Sequence, residues 1–152
     1  MNSRSSRYGE RGNAMVEAAM TLPILLLLMV GIFEVGRAYE TWQVVTNAAR
    51  EGARIAMLPN SNTDTVKAMV KKYMQDGQLN QYASAAVDVN TNVLMNVNGT
   101  NVTASLVTVD YPFSFIMLNP VARLIKPSST SGSAITMHVT AQMRNEAQAP
   151  AP

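Results

Sequence analysis

Between Ala18 and Phe33 the chain runs sixteen residues without a charge, about 24 Å of helix at ~1.5 Å per residue. Extending the run back to Asn13 takes in one charge, Glu17, and lengthens it to about 31 Å, the thickness of a ~30 Å hydrocarbon core. The stretch "LPILLLLMVGIF" has no polar side to turn toward water, unlike a helix seated on a soluble core. A removable secretory signal would end in a small-residue cleavage site, and "EVGRAYETWQ" offers none. The pattern therefore predicts a membrane span over about 14–33, with Pro23 tolerated inside it and expected to kink it.

Past the span, helix formers continue without proline until Pro59, so the same helix is expected to run over 13–58. Ala48, Gly52 and Ala56 recur every fourth residue, with Ala49 and Ala53 beside them. A ridge of small residues lets another backbone come close. It either seats this helix on the chain's own domain or packs it against a neighbouring subunit. "PNSNTD" then breaks the helix and caps a second, over Asp64–Asp76, whose apolar face reads as Val66, Met69, Val70 and Tyr73. Gly77 is expected to stop it in the left-handed conformation.

From Ala85 the period falls to two. Val87 and Val89 alternate with Asp88 and Asn90, and Asn98-Gly99 marks a hairpin between strands near 92–97 and 101–111. Val107, Val109 and Tyr111 share a face, and Ile135 to Met143 alternates apolar with polar as a half-buried antiparallel strand does. The expectation is an α+β chain: a long N-terminal helix, membrane-spanning in its first half, then a small exported domain over 59–146 with one further helix and an antiparallel sheet. Residues 147–152, "AQAPAP", read as a flexible tail.

Charge changes the picture at one end. The chain carries a formal +2. That excess sits in residues 1–12, where Arg4, Arg7 and Arg11 face one acid, Glu10; the remaining nine basic and nine acidic side chains balance. No basic stripe interleaved with aromatics is present, so a nucleic-acid partner is not expected. The basic leader ahead of the span places the N-terminus in the cytoplasm and exports the rest.

Chemistry is sparse. The chain has no cysteine and one histidine, His138, on the polar face of a predicted strand. Asp88 and Asp110 lie on separate strands without calcium-loop spacing. Nucleophile-elbow, P-loop and dinucleotide signatures are missing. No catalytic, cofactor or metal residues are assigned, and the reading is not that of an enzyme.

One constellation remains. Gly12 precedes Asn13, and Glu17 is the fifth residue counted from Asn13, ahead of the apolar run. This is the pattern of prepilin processing, with cleavage between Gly12 and Asn13. A glycine leaves the scissile bond unhindered, and the cut creates an α-amino group at Asn13 that Glu17 can pair with, in its own chain or in a neighbour. In an uncleaved anchor Glu17 would instead be a hydrated acid at headgroup level.

"GNAMVEAAMTLPILLLLMVGIFEVGRAY…TNAAREGAR" resembles the TadE-like family, pseudopilins of the tight-adherence (Tad) pilus machinery. The matching features are Gly12, Glu17, Pro23, Glu34–Arg37 and Ala49–Arg54, and "VTVDYPFSF" and "ITMHVTAQMRNE" look like the family's closing strands. Related sites often place an aromatic after the glutamate, where this chain has Ala18.

The resemblance implies a minor pilin or pseudopilin, processed by a prepilin peptidase, that primes or caps a pilus serving adherence and biofilm formation. Its implied partners are that peptidase, other pilin and pseudopilin subunits and the Tad inner-membrane assembly platform. Its implied location is the bacterial inner membrane, single-pass, with a periplasmic C-terminal domain, and the extracellular pilus if it enters the filament. The alternative is an uncleaved single-pass anchor whose exported domain binds a ligand or partner.

Overall fold

The computed structural model describes residues 6–58, 61–125 and 134–145. The expected tail at 147–152, the first five residues of the leader, and the whole "PSSTSGS" loop lie outside these residues.

One helix, α1, runs unbroken from Ser6 to Ala56 and passes through Pro23. It begins inside the leader, where no apolar periodicity announced a helix, and ends two residues before the expected 58. α2 spans Thr63–Asp76, one residue longer than expected, because the Asn62 side chain accepts the Asp64 N–H and caps it. Three strands follow in an antiparallel meander: β1 Ala86–Val97, β2 Thr100–Phe113 and β3 Ile135–Arg144, in the order β1-β2-β3. A short 3₁₀ turn, Tyr82–Ser84, leads into β1. The α+β expectation holds, and the sheet adds a feature the sequence reading lacked: a second short helix, α3, over Leu118–Ile125.

The β1–β2 turn is Asn98-Gly99, with φ of 52° and 85°. Both central residues of a type I′ turn need positive φ, and asparagine and glycine tolerate it best. β1 is one strand interrupted by a bulge: Asn90 pairs with Leu106 and Val93 with Ala104, leaving two residues opposite Ser105. The Ser105 hydroxyl bonds Ala56 O at 3.0 Å and Asn145 Oδ1 at 2.6 Å, so the irregularity is tied to the end of α1. Pro112 in the central strand lies beyond the last β1 partner, Asp110, so its missing N–H costs no ladder bond to β1.

α1 and α2 cover one face of the sheet. Val45, Ala48, Ala49 and Ala53 from α1 meet Val66, Val70 and Met74 from α2 and Val107, Val109 and Tyr111 from β2, all buried. The buried stripe of α2 is therefore i, i+4, i+8; Met69 and Tyr73, expected inside, stay about 40% exposed. The helix is rotated so that Gly77 can abut α1. A Cβ at Gly77 would fall 2.5 Å from Val44 Cγ1. Close approach, not handedness, is what that glycine supplies, for its φ is −76°. The left-handed residue is Gln78, φ 59°. Its N–H bonds Gln75 O while Leu79 N–H bonds Met74 O, a Schellman closure with buried Leu79 beside Met74.

Candidate assembly and membrane interface

Among the described residues, the first half of α1 is uncovered as far as Met29. Twelve large apolar side chains between Met15 and Phe33 expose 50–76% of their surface. An 18-residue stretch of the helix is apolar enough to cross a membrane, and none of it is buried by the rest of the chain. A core helix of a soluble domain would be covered. At ~1.5–3 kcal/mol per large side chain, leaving all twelve in water costs on the order of 20 kcal/mol or more, which exceeds what a domain of this size has in reserve. One N-terminal apolar helix of this kind fits a single-pass membrane anchor.

Gly12 and Asn13 sit on this bare helix, both exposed, with no atom within 4 Å of where a Cβ of Gly12 would lie. Glu17 is exposed too. Its backbone carbonyl accepts the Thr21 hydroxyl at 3.0 Å, and among the described residues its carboxylate has no partner. The ridge Ala48, Gly52, Ala56 lies at the other end of α1 and faces inward, onto the chain's own α2 and β2. A Cβ on Gly52 would run into Val70 Cγ2, with Val107 Cγ1 at 3.3 Å. The sequence-derived site residues thus fall into two groups at opposite ends of one helix, one bare and one buried.

Between them lies an arrangement that sequence reasoning passed over. Glu34, the first residue beyond the apolar run, is only 2% exposed. Its Oε1 accepts the backbone N–H of Met117 and, at 3.4 Å, that of Leu118, the first residue of α3. Its Oε2 takes a 2.7 Å bond from Arg37. The carboxylate caps α3 from another helix: orphan N–H groups at a helix start favour an anion. Arg37 in turn lies 5.2 Å from the centroid of the Phe113 ring, which meets Phe115 edge to face. The Glu34–Arg37 part of the family resemblance therefore joins the end of the apolar segment to the segment after β2. The available signal was a glutamate–arginine pair at i,i+3 immediately after an apolar run.

A partly open hollow of about 260 Å³ adjoins this clamp, between Arg37 and Thr41 of α1, the Gly77–Gln81 turn, and Phe113–Ile116. The other ion pairs among the described residues are solvated, Lys72 with Asp76 at 2.7 Å among them. Arg54 bonds both carboxylate oxygens of Glu51, at 2.9 and 2.6 Å. The hydrogen bond from the Arg54 guanidinium holds the Glu51 carboxyl below its ordinary range against the opposing effect of burial, and Glu51 raises Arg54 in return. His138 Nδ1 contacts Asp110 Oδ1 across paired positions of β3 and β2, on the open face of the sheet. Among the described residues no three His, Asp or Glu side chains cluster as metal ligands would.

The bare apolar half, the Glu34–Arg37 pair and the Ala48 and Gly52 positions of the ridge fall within residues 12–54, and that segment matches the family model described as TadE-like protein. It is a TadE-like segment. The family is a pilus-associated, structural one. The match ends at Arg54, so α2, the sheet and α3 lie outside it. Neither a curated protein nor a solved structure matches the chain.

Proposed function

We propose that the chain is a minor pilin or pseudopilin of a Tad-type adherence pilus, matured by a prepilin peptidase that cuts between Gly12 and Asn13. The observation that carries this is the bare apolar half of α1 bearing one carboxylate, Glu17, without a partner among the described residues, in a TadE-like segment. Such a helix suits two apolar surroundings in turn, the bilayer and the packed interior of a filament. Removal of residues 1–12 frees the Asn13 amine, one helical turn from Glu17, and a neighbouring subunit's amine is an equally good counter-ion. The peptidase must open a helical backbone to reach the bond, and Gly12 is the cheapest place to do so, at ~1 kcal/mol below alanine in helix propensity.

In this reading the N-terminus faces the cytoplasm and residues 59–146 form the periplasmic domain, carried into the pilus if the subunit enters the filament. Its partners are the peptidase, other pilin subunits and the Tad assembly platform, and its contribution to adherence and biofilm formation is through assembly. The deciding measurement is the intact mass of the protein extracted from membranes of cells that contain the peptidase. A chain starting at Asn13 supports the proposal, and one retaining Met1 overturns it. One observation favours the second reading, an uncleaved anchor: α1 runs on as helix through Gly12 and Asn13 from Ser6. That reading is what the retained-Met1 mass would leave standing.

A further inference from the structure

We propose that the tip Ile116–Met117 is a second membrane contact, entering the headgroup–acyl boundary of the leaflet through which α1 emerges. The proposal rests on reading residues 14–33 as a bilayer span. Three observations carry it. Ile116 and Met117 are large apolar residues that remain 53% and 46% exposed at the end of the domain nearest that span. Their height along α1 is set by Glu34, whose carboxylate bonds the Met117 N–H, so the tip lies within one side chain's reach of the residue that follows Phe33. Finally, Met117 shares a wholly apolar hollow of about 200 Å³ with Met29, Val30 and Phe33, all three inside the span.

The occupant follows from that continuity. If Met29 and Phe33 are in the bilayer, the hollow they form with Met117 opens onto acyl chains, and no aqueous partner can reach it without crossing the headgroups. An apolar tip beside a transmembrane helix, with the exposed Arg123 on the following helix, has the composition of an interfacial anchor. Two contacts, the span and the tip, fix the domain's tilt relative to the membrane, where the span alone would leave it to swing.

The chain has no cysteine, so single labelling sites can be placed at will. The full-length protein would carry an environment-sensitive fluorophore at Leu26→Cys in the span, Met117→Cys at the tip, or Leu94→Cys, which is 70% exposed on β1 toward the far hairpin. Each would be reconstituted in phosphatidylethanolamine–phosphatidylglycerol vesicles with and without acyl-brominated phosphatidylcholine. Strong bromine quenching is expected for Leu26→Cys and Met117→Cys, with a blue-shifted emission for both, and none for Leu94→Cys. Quenching at Leu26 with Met117 behaving like Leu94 overturns the tip contact and leaves the anchor intact. Failure of quenching at Leu26 removes the span, and the tip contact with it. Water-like emission at labelled Met117→Cys, together with disulfide crosslinking of two unlabelled Met117→Cys copies under a mild oxidant, overturns the proposal in favour of contact between copies of this chain.

Discussion

Glu34 and Met117 stand 83 positions apart, yet the carboxylate of one holds the backbone N–H of the other. Through that bond the exit of the apolar helix is tied to the start of α3, and Arg37 closes the arrangement against Phe113. One buried acid thereby pins the start of α3 beside the end of the apolar segment. Its consequences can be measured.

Glu34→Ala leaves the first N–H groups of α3 without their acceptor and Arg37 without its counter-ion. The loss should be about 1.5–3 kcal/mol, the range for hydrogen bonds to a charged group. Urea unfolding of the detergent-solubilised protein would give it. A double-mutant cycle with Arg37→Ala should show coupling well above zero, and additive effects would mean the two side chains act independently.

The small-residue ridge makes opposite predictions for two glycines of the same helix. Gly52→Ala gains helix propensity of ~1 kcal/mol but drives a methyl into Val70 and Val107, a clash costing roughly 1–3 kcal/mol. The net change should destabilise. Gly36→Ala meets nothing within 4 Å and should stabilise slightly. Thermal melts of the two variants side by side test the packing, since propensity alone would make both stabilising.

Processing and pairing separate genetically. Gly12→Leu should block removal of residues 1–12, because a bulky side chain would not fit beside the scissile bond, and the intact mass should then retain Met1. Glu17→Gln keeps the shape and removes the charge. It should insert and be cleaved as before, yet crosslink poorly to neighbouring pilins and assemble few pili. A buried pair broken from one side costs ~3–5 kcal/mol, enough to abolish a weak subunit contact. Wild-type crosslinking and pilus counts would make Glu17 a hydrated interfacial acid.

The Glu51–Arg54 pair carries a pH signature of known sign. Glu51's carboxyl is held below its ordinary value in the folded chain, so its contribution is present above the unfolded value of 4.5. It fades as pH falls through the lower folded one. Because the pair is solvated, Glu51→Gln should change a neutral-pH urea midpoint by little more than the error of the measurement and flatten the acid limb slightly. A large loss at neutral pH would show the pair to be structural.

Local chemistry made much of this protein legible from its sequence. The unbroken apolar run, the alternation of β2 and β3, and Asn98-Gly99 each specify their element through residues that are neighbours in the chain. Where the decision lay between distant residues, the sequence was silent or misleading. Gly77 reads as a left-handed stop, but Val44 of α1 occupies the space its side chain would need, and Gln78 takes the positive φ. Met69 and Tyr73 fit the apolar period of α2, yet the approach of α1 at Gly77 turns Met74 inward in their place. α3 stayed hidden because Pro120 reads as a breaker, although a first-turn proline gives up only an N–H that has no intrahelical partner. The acceptor that begins α3 is Glu34, and only the fold brings it there.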